Sequence, residues 1–207
     1  LCDLCNAVCP NAVTPSRLFM ELRRSCARRG LGISRNHETL LNFEKRGTSR
    51  RYTLYALPRG CKSILFPGCA LAGSRPNQVF RLLRHLRETC PSMGIVLDCC
   101  TKPSHDLGRE EHFHTIFHAM RHTLLVHGVH TVITACPGCD AIFKAYGGEL
   151  KVTSVYEILT EIQPLAGQRV SGVVTVHDPC TCRFETSVQG AVRSLARGRG
   201  LDIEEMA

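Results

Sequence analysis

Three apolar runs of the same form end at cysteine: SILFPGC (63–69), GIVLDCC (94–100) and VHTVITACPGC (129–139). Each reads as a strand, and helix-like segments lie between them. NQVFRLLRHLRET (77–89) places Val79, Phe80, Leu82, Leu83 and Leu86 on one face, with Asn77 as a candidate cap. GREEHFHTIFHAMRHTLLVHG (108–128) reads as a second helix, a short third one follows Cys139 up to Gly147 and Gly148, and TSVYEILTEI reads as a fourth. Strands alternating with helices of this length imply an α/β fold with a mostly parallel sheet and helical crossovers. In open parallel sheets, ligands gather beyond the carboxyl ends of the strands. Cys69, Cys99, Cys100, Cys136 and Cys139 are therefore expected at one sheet edge, although 70 residues separate the first from the last.

The cysteine inventory narrows the chemistry. Thirteen cysteines in 207 residues form an odd set, which argues against a plain disulfide framework. The opening LCDLCNAVCP has neither the basic start nor the apolar core of a signal peptide. No apolar run is long enough to span a bilayer. These features predict a reducing cytoplasmic setting, where clustered cysteines bind metal or do redox chemistry. Cys99 and Cys100 are an awkward disulfide, since neighbouring Cα atoms lie about 3.8 Å apart and bridged ones about 4.4–6.8 Å. Thiolates select zinc or iron–sulfur clusters over hard cations. Zinc takes four ligands, so five thiols leave either zinc plus one redox thiol or a larger cluster. Cys136-Pro-Gly-Cys139 is also open to reading as a thiol–disulfide exchange pair.

The spacing carries a resemblance. Cys69, 29 residues, Cys99-Cys100, 35 residues and Cys136-x2-Cys139 resemble the motif of the cysteine-rich CCG domain. That domain is found in heterodisulfide reductase catalytic subunits. It also occurs in iron–sulfur subunits of anaerobic glycerol-3-phosphate dehydrogenase, glycolate oxidase and lactate utilisation. The first spacing is slightly short and the second fits. The family glycine after the paired cysteines is Thr101 here, which removes the most permissive backbone position. The resemblance implies that Cys69, Cys99, Cys100, Cys136 and Cys139 ligate a non-cubane 4Fe–4S cluster, with zinc as the alternative for a diverged copy. It implies an iron–sulfur oxidoreductase subunit moving electrons between a flavoprotein or ferredoxin partner and a disulfide or quinone acceptor. The competing class is a zinc-binding structural or assembly module.

Residues outside the central set follow from the same comparison. Cys2-x2-Cys5-x3-Cys9-Pro10 matches the end of a bacterial ferredoxin run, C-x2-C-x2-C-x3-C-P. Residues 1–33 are thus expected to be a truncated α-helical ferredoxin segment, with Cys2, Cys5 and Cys9 binding 4Fe–4S clusters and a helix from Pro15 to Arg29. Residues 62–168 would be the first CCG domain. Residues 169–207 would start a second, truncated one, because GVVTVHDPC (172–180) repeats the strand–proline–cysteine form and a helix-like stretch follows. Cys180 would be that copy's first ligand, and Cys182 a surface or spare thiol. Residues 34–61 read as a basic linker. Between Arg17 and Arg59 there are eleven Lys and Arg against three Glu, which matches the whole-chain net charge of +8. A solvated, arginine-rich linker is the favoured reading, and docking to an acidic partner or a membrane face is the functional one. Nucleic acid is disfavoured, since no binding motif accompanies the charge. His114, His118 and His122 recur every fourth residue and predict an outward stripe. His105, Asp106 and Lys144 are candidates for hydrogen bonding or charge near the thiols. Cys26, Cys61 and Cys90 read as fillers or surface thiols.

Overall fold

The computed structural model describes residues 2–162 and 170–206. The chain opens with helices α1 (Leu4–Ala7), α2 (Pro15–Arg28) and α3 (Glu38–Gly47). Strand β1 (Leu54–Ala56) and strand β2 (Ser63–Phe66) follow, then α4 (Cys69–Ser74), α5 (Pro76–Thr89) and β3 (Gly94–Leu97). Next come α6 (Lys102–Asp106), α7 (Glu110–Val126), β4 (Thr131–Thr134), α8 (Pro137–Tyr146), β5 (Lys151–Ser154) and α9 (Val155–Glu161). The second described stretch carries β6 (Gly172–Val176), α10 (Thr186–Gly198) and β7 (Leu201–Glu205). The expected boundary between the two CCG copies, at residues 168 and 169, lies outside the described residues.

The main sheet has the order β1-β3-β2-β4-β5. β3, β2, β4 and β5 run parallel, and β1 lies antiparallel along β3. The central strands are apolar on successive residues because both faces are covered. Ile64, Phe66, Val96 and Val132 face one core with Phe113 and Phe117 of α7 and Phe143 of α8. Leu65, Ile95 and Ile133 face the other with Val79, Leu83 and Leu86 of α5 and Val155 of α9. Single-residue alternation along each strand therefore sorts side chains into two layers. Aromatic edges close the first layer: the Phe66 and Phe143 rings meet at 5.0 Å, and those of Phe117 and Phe143 at 5.2 Å.

The α/β architecture follows the sequence pattern, with three local differences. The segment TSVYEILTEI is helical only from Val155. Ser154 ends β5 and caps α9, accepting a hydrogen bond from the Tyr156 N–H at 3.3 Å. Its own N–H donates to Glu157 at 3.2 Å, which completes a capping box. Second, β7 pairs in parallel with β6 as a separate two-stranded sheet, joined through α10. Third, residues 34–61, read as a linker from their charge, carry α3 and β1, and β1 extends the main sheet. At the N-terminus the structure shows helices. Asn6 ties α1 to the start of α2, donating to Ser16 Oγ at 2.6 Å and accepting from the Ser16 N–H at 3.0 Å. Among the described residues no helix is long and apolar enough to cross a membrane.

Candidate thiol centre

Each central strand stops where its backbone must turn against a neighbouring cysteine. After β2, Gly68 adopts φ 81° and ψ 154°, a region essentially confined to glycine. A Cβ at Gly68 would fall 2.8 Å from the Cys136 Cβ. Glycine is therefore required twice over, and Cys69 begins α4 directly behind it. After β3, Asp98 organises the turn. One carboxylate oxygen accepts from the Cys99 N–H at 2.7 Å and the other accepts from the Tyr55 hydroxyl at 2.5 Å. Burial is the first cause that raises the Asp98 carboxyl above its usual range, and it raises the Tyr55 phenol too. The edge strand β1, through Tyr55, thus braces the paired cysteines. After β4, Cys136 is the N-cap of α8, Pro137 fixes the first helical residue, and Cys139 lies within the first turn.

The residue after the cysteine pair departs from ordinary geometry. Thr101 has φ 53° and ψ 25°, in the left-handed region, and is fully buried. A β-branched residue there is strained. Its hydroxyl donates to the Cys100 carbonyl at 2.8 Å. The chain keeps the turn that a glycine would favour, despite carrying threonine.

The five strand-end thiols meet. The thiols act on one another in pairs: Cys99 with Cys69, Cys139 with both Cys100 and Cys136, and Cys136 with Cys69. With the chain link between Cys99 and Cys100, these pairings join all five in a ring. The neighbouring Cys99 thiol lowers the Cys69 thiol to about 7, and the neighbouring Cys139 thiol lowers Cys136 to about 6. Those neighbours respond in the opposite direction. Cys99 is pushed up by Cys69 and by burial, and Cys139 by Cys100, by Cys136 and by burial. The ring thus pairs two thiols biased towards thiolate with two that hold their protons. Among the described residues none of the thirteen cysteines forms a disulfide. Nor do any three His, Cys, Asp or Glu side chains there surround a point as a single metal ion requires. The donor chemistry nonetheless suits an iron–sulfur group, which is held by soft cysteine thiolates.

Other candidates are placed elsewhere. Cys2 is exposed, while Cys5 within α1 and Cys9 just after it are half-buried. Cys2 and Cys5 line a cleft with Ser16, Phe19 and Arg23 of α2. Cys180 is exposed at a short 3-10 turn. Of the two readings for Cys182, a surface or a spare thiol, the first fails: it is buried and lines a narrow gap with Cys136, Asp140 and Tyr156. The reason is packing: the turn at Cys180–Cys182 seats against α8, where Lys144 joins Asp140 at 2.8 Å and Glu185 at 2.7 Å. Lys144 therefore ties two elements together. His105 is held on both sides, with Nδ1 2.9 Å from Asp106 and Nε2 2.9 Å from the Tyr146 hydroxyl. Of the histidine stripe, His118 and His122 are exposed and His114 is half-buried. Cys61 fills the core and donates to the Ser63 carbonyl at 3.2 Å.

One cation near the ring was not singled out in the sequence. Lys102 lies one turn before its partner Asp106, 2.6 Å away, and its aliphatic stem passes beside Gly138. Its charge favours the Cys136 thiolate. The signal was present as the second residue after the cysteine pair, but only the fold brings it against the Cys136 loop.

All five ring cysteines fall within residues 64–144, which match the family model described as CCG, cysteine-rich domain. The chain carries that domain. Cys2, Cys5, Cys9 and Cys180 lie outside the matched stretch. The chain is also similar to a fumarate reductase (CoM/CoB) subunit of Methanothermobacter marburgensis. The two are 29% identical over an alignment of 223 positions, covering 98% of this chain and 42% of the relative. The chain thus spans about two fifths of the length of that protein.

Proposed function

We propose that this chain is an iron–sulfur electron-transfer subunit of an oxidoreductase. It would work between a flavoprotein or ferredoxin donor and a disulfide or quinone acceptor. The observation that carries the reading is the closed ring of five thiols delivered by three adjacent strand ends. The relative's name, which includes fumarate reductase, supports a redox setting. Cys69, Cys99, Cys100, Cys136 and Cys139 would hold the group at the ring, and Cys2, Cys5 and Cys9 would contribute to 4Fe–4S sites near the N-terminus. Cys180 would serve a second CCG site. A bound iron–sulfur cluster supplies one-electron chemistry at a potential set by ligation, hydrogen bonding and burial.

The chain's own residues prepare the ring for that role. Cys69 and Cys136 are the sulfurs already biased towards thiolate. Cys99 and Cys139 hold protons at Sγ that ligation must release, since metal ligands bind deprotonated. Phe66, Phe143 and the fully buried Thr101 keep water from the inner side. Lys102 offsets negative charge that would otherwise build up on the sulfurs. The surplus of Lys and Arg between Arg17 and Arg59 suits an acidic electron-transfer partner or a membrane-associated subunit.

Anaerobic purification followed by iron and acid-labile sulfide assay, with absorbance near 400 nm, tests the reading. A brown protein containing iron and sulfide is expected, with the content reduced when any ring cysteine is changed to serine. A colourless protein with one zinc per chain would instead establish the zinc-binding structural module.

A further inference from the structure

The proposed function makes no use of α3, yet this helix reaches the thiol centre at two points. The first is Glu44, whose side chain is 1% exposed. A carboxylate that deeply buried is costly unless it is bonded. One Glu44 oxygen accepts from the Ser104 N–H at 2.8 Å, and the other accepts from the Ser104 hydroxyl. His112 Nε2 and Arg109 Nη1 lie 3.4 Å and 4.0 Å from it, and Arg109 also donates to the Ser104 hydroxyl at 3.0 Å. Ser104 is fully buried in the first turn of α6, the helix that starts directly after Cys99, Cys100 and Thr101. No side chain of its own caps α6. Glu44 supplies that bond from another element.

The second point is Gly47, one turn further along α3. A Cβ there would stand 3.2 Å from the Cys99 Cβ, 3.9 Å from the Cys69 Cβ and 4.0 Å from the Cys99 sulfur. The helix end therefore packs directly on Cys99 and beside Cys69. Gly47 is the last residue of α3, and any side chain there would press on the Cys99 Cβ. Its presence here matches a need for close approach rather than for helix formation.

We propose that α3 is a positioning cover for the thiol centre. Glu44 fastens it to α6, and the missing side chain at Gly47 lets its end close over Cys69 and Cys99, fixing their spacing and shielding them from solvent. The cover concerns the thiols as such, and it rests on the iron–sulfur reading only where the cluster is measured.

The test uses the full chain and the variants Gly47→Ala, Gly47→Val and Glu44→Gln, with Lys45→Ala as an exposed control on the same helix. Anaerobic, metal-free protein is alkylated with iodoacetamide and the labelling of each cysteine is followed by mass spectrometry. Local opening of the cover should raise labelling of Cys69 and Cys99 about tenfold in Gly47→Val and by a few-fold in Glu44→Gln, with Lys45→Ala unchanged. Gly47→Ala should also raise it, although a helix that only filled space would be stabilised by alanine. Labelling of Cys69 and Cys99 unchanged in both Gly47 variants overturns the proposal. So does an equal rise at all thirteen cysteines, which would mark general loosening. In a second arm, cluster-loaded protein is compared by electron paramagnetic resonance, where Gly47→Ala should alter the line shape at unchanged iron content. A parent protein without iron would defeat the iron–sulfur reading, while the labelling would still decide the role of α3.

Discussion

Thr101 concentrates the conflict between sequence and local geometry. Its left-handed backbone costs roughly 1–2 kcal/mol for a residue with a Cβ, while its hydroxyl bond to the Cys100 carbonyl returns about 1 kcal/mol. Thr101→Gly exchanges strain relief for a small loss of buried contacts. The variant should unfold in urea within about 1 kcal/mol of the parent protein, on either side. Thr101→Val keeps the strain and removes the hydroxyl bond, so it should be less stable by about 1 kcal/mol or more. If glycine proved far more damaging than valine, backbone strain would not be the governing term at this turn. The cysteines themselves were legible in the sequence because their spacing is an intrinsic signal. The environment was less legible. Tyr55 reaches Asp98 across 43 residues of chain and Glu44 reaches Ser104 across 60, and no local pattern marks such partners. Lys102 meets the Cys136 loop in the same way, through the fold alone.

At the scale of elements, the signals that held were long and periodic. Helix α7 buries Phe113, Phe117, Met120 and Leu124 along one face, and its apolar spacing is readable in the sequence. β2, β3 and β4 were readable because continuous apolar runs mark strands covered on both sides. β1, β5 and β7 were not. β1 has three residues, β5 four, and β7 alternates with acidic side chains, so the pairing partner rather than the pattern decides them. The aromatic layer below the thiol ring should carry much of the stability. Phe117 is fully buried and stacks within 5.5 Å of Phe113. Phe117→Ala should destabilise the fold by about 3–5 kcal/mol, measured by chemical denaturation. A loss below about 1 kcal/mol would mean that the layer collapses to fill the gap.

For the whole molecule, the arrangement of the thiols makes the centre a property of the tertiary fold. Cys69, Cys99, Cys100, Cys136 and Cys139 come from three strand ends that only parallel pairing aligns, and no pair other than Cys99–Cys100 and Cys136–Cys139 is local. On the proposed reading, a metal group bound across them would be lost when the sheet separates, and its binding free energy would add to folding. The N-terminal Cys2, Cys5 and Cys9 have the opposite character, since their spacing is fixed within one short helix and its flanks. Denaturant titration of the iron-loaded protein, followed by absorbance near 400 nm and by tyrosine fluorescence, should therefore show the central chromophore and the tertiary signal lost together. Cys69→Ser should remove that shared transition, while Cys180→Ser, at an exposed turn outside the ring, should leave it in place. Chromophore loss well before the tertiary transition in the parent protein would mean that the metal is held by local segments, and the strand-end ring would then not be its site.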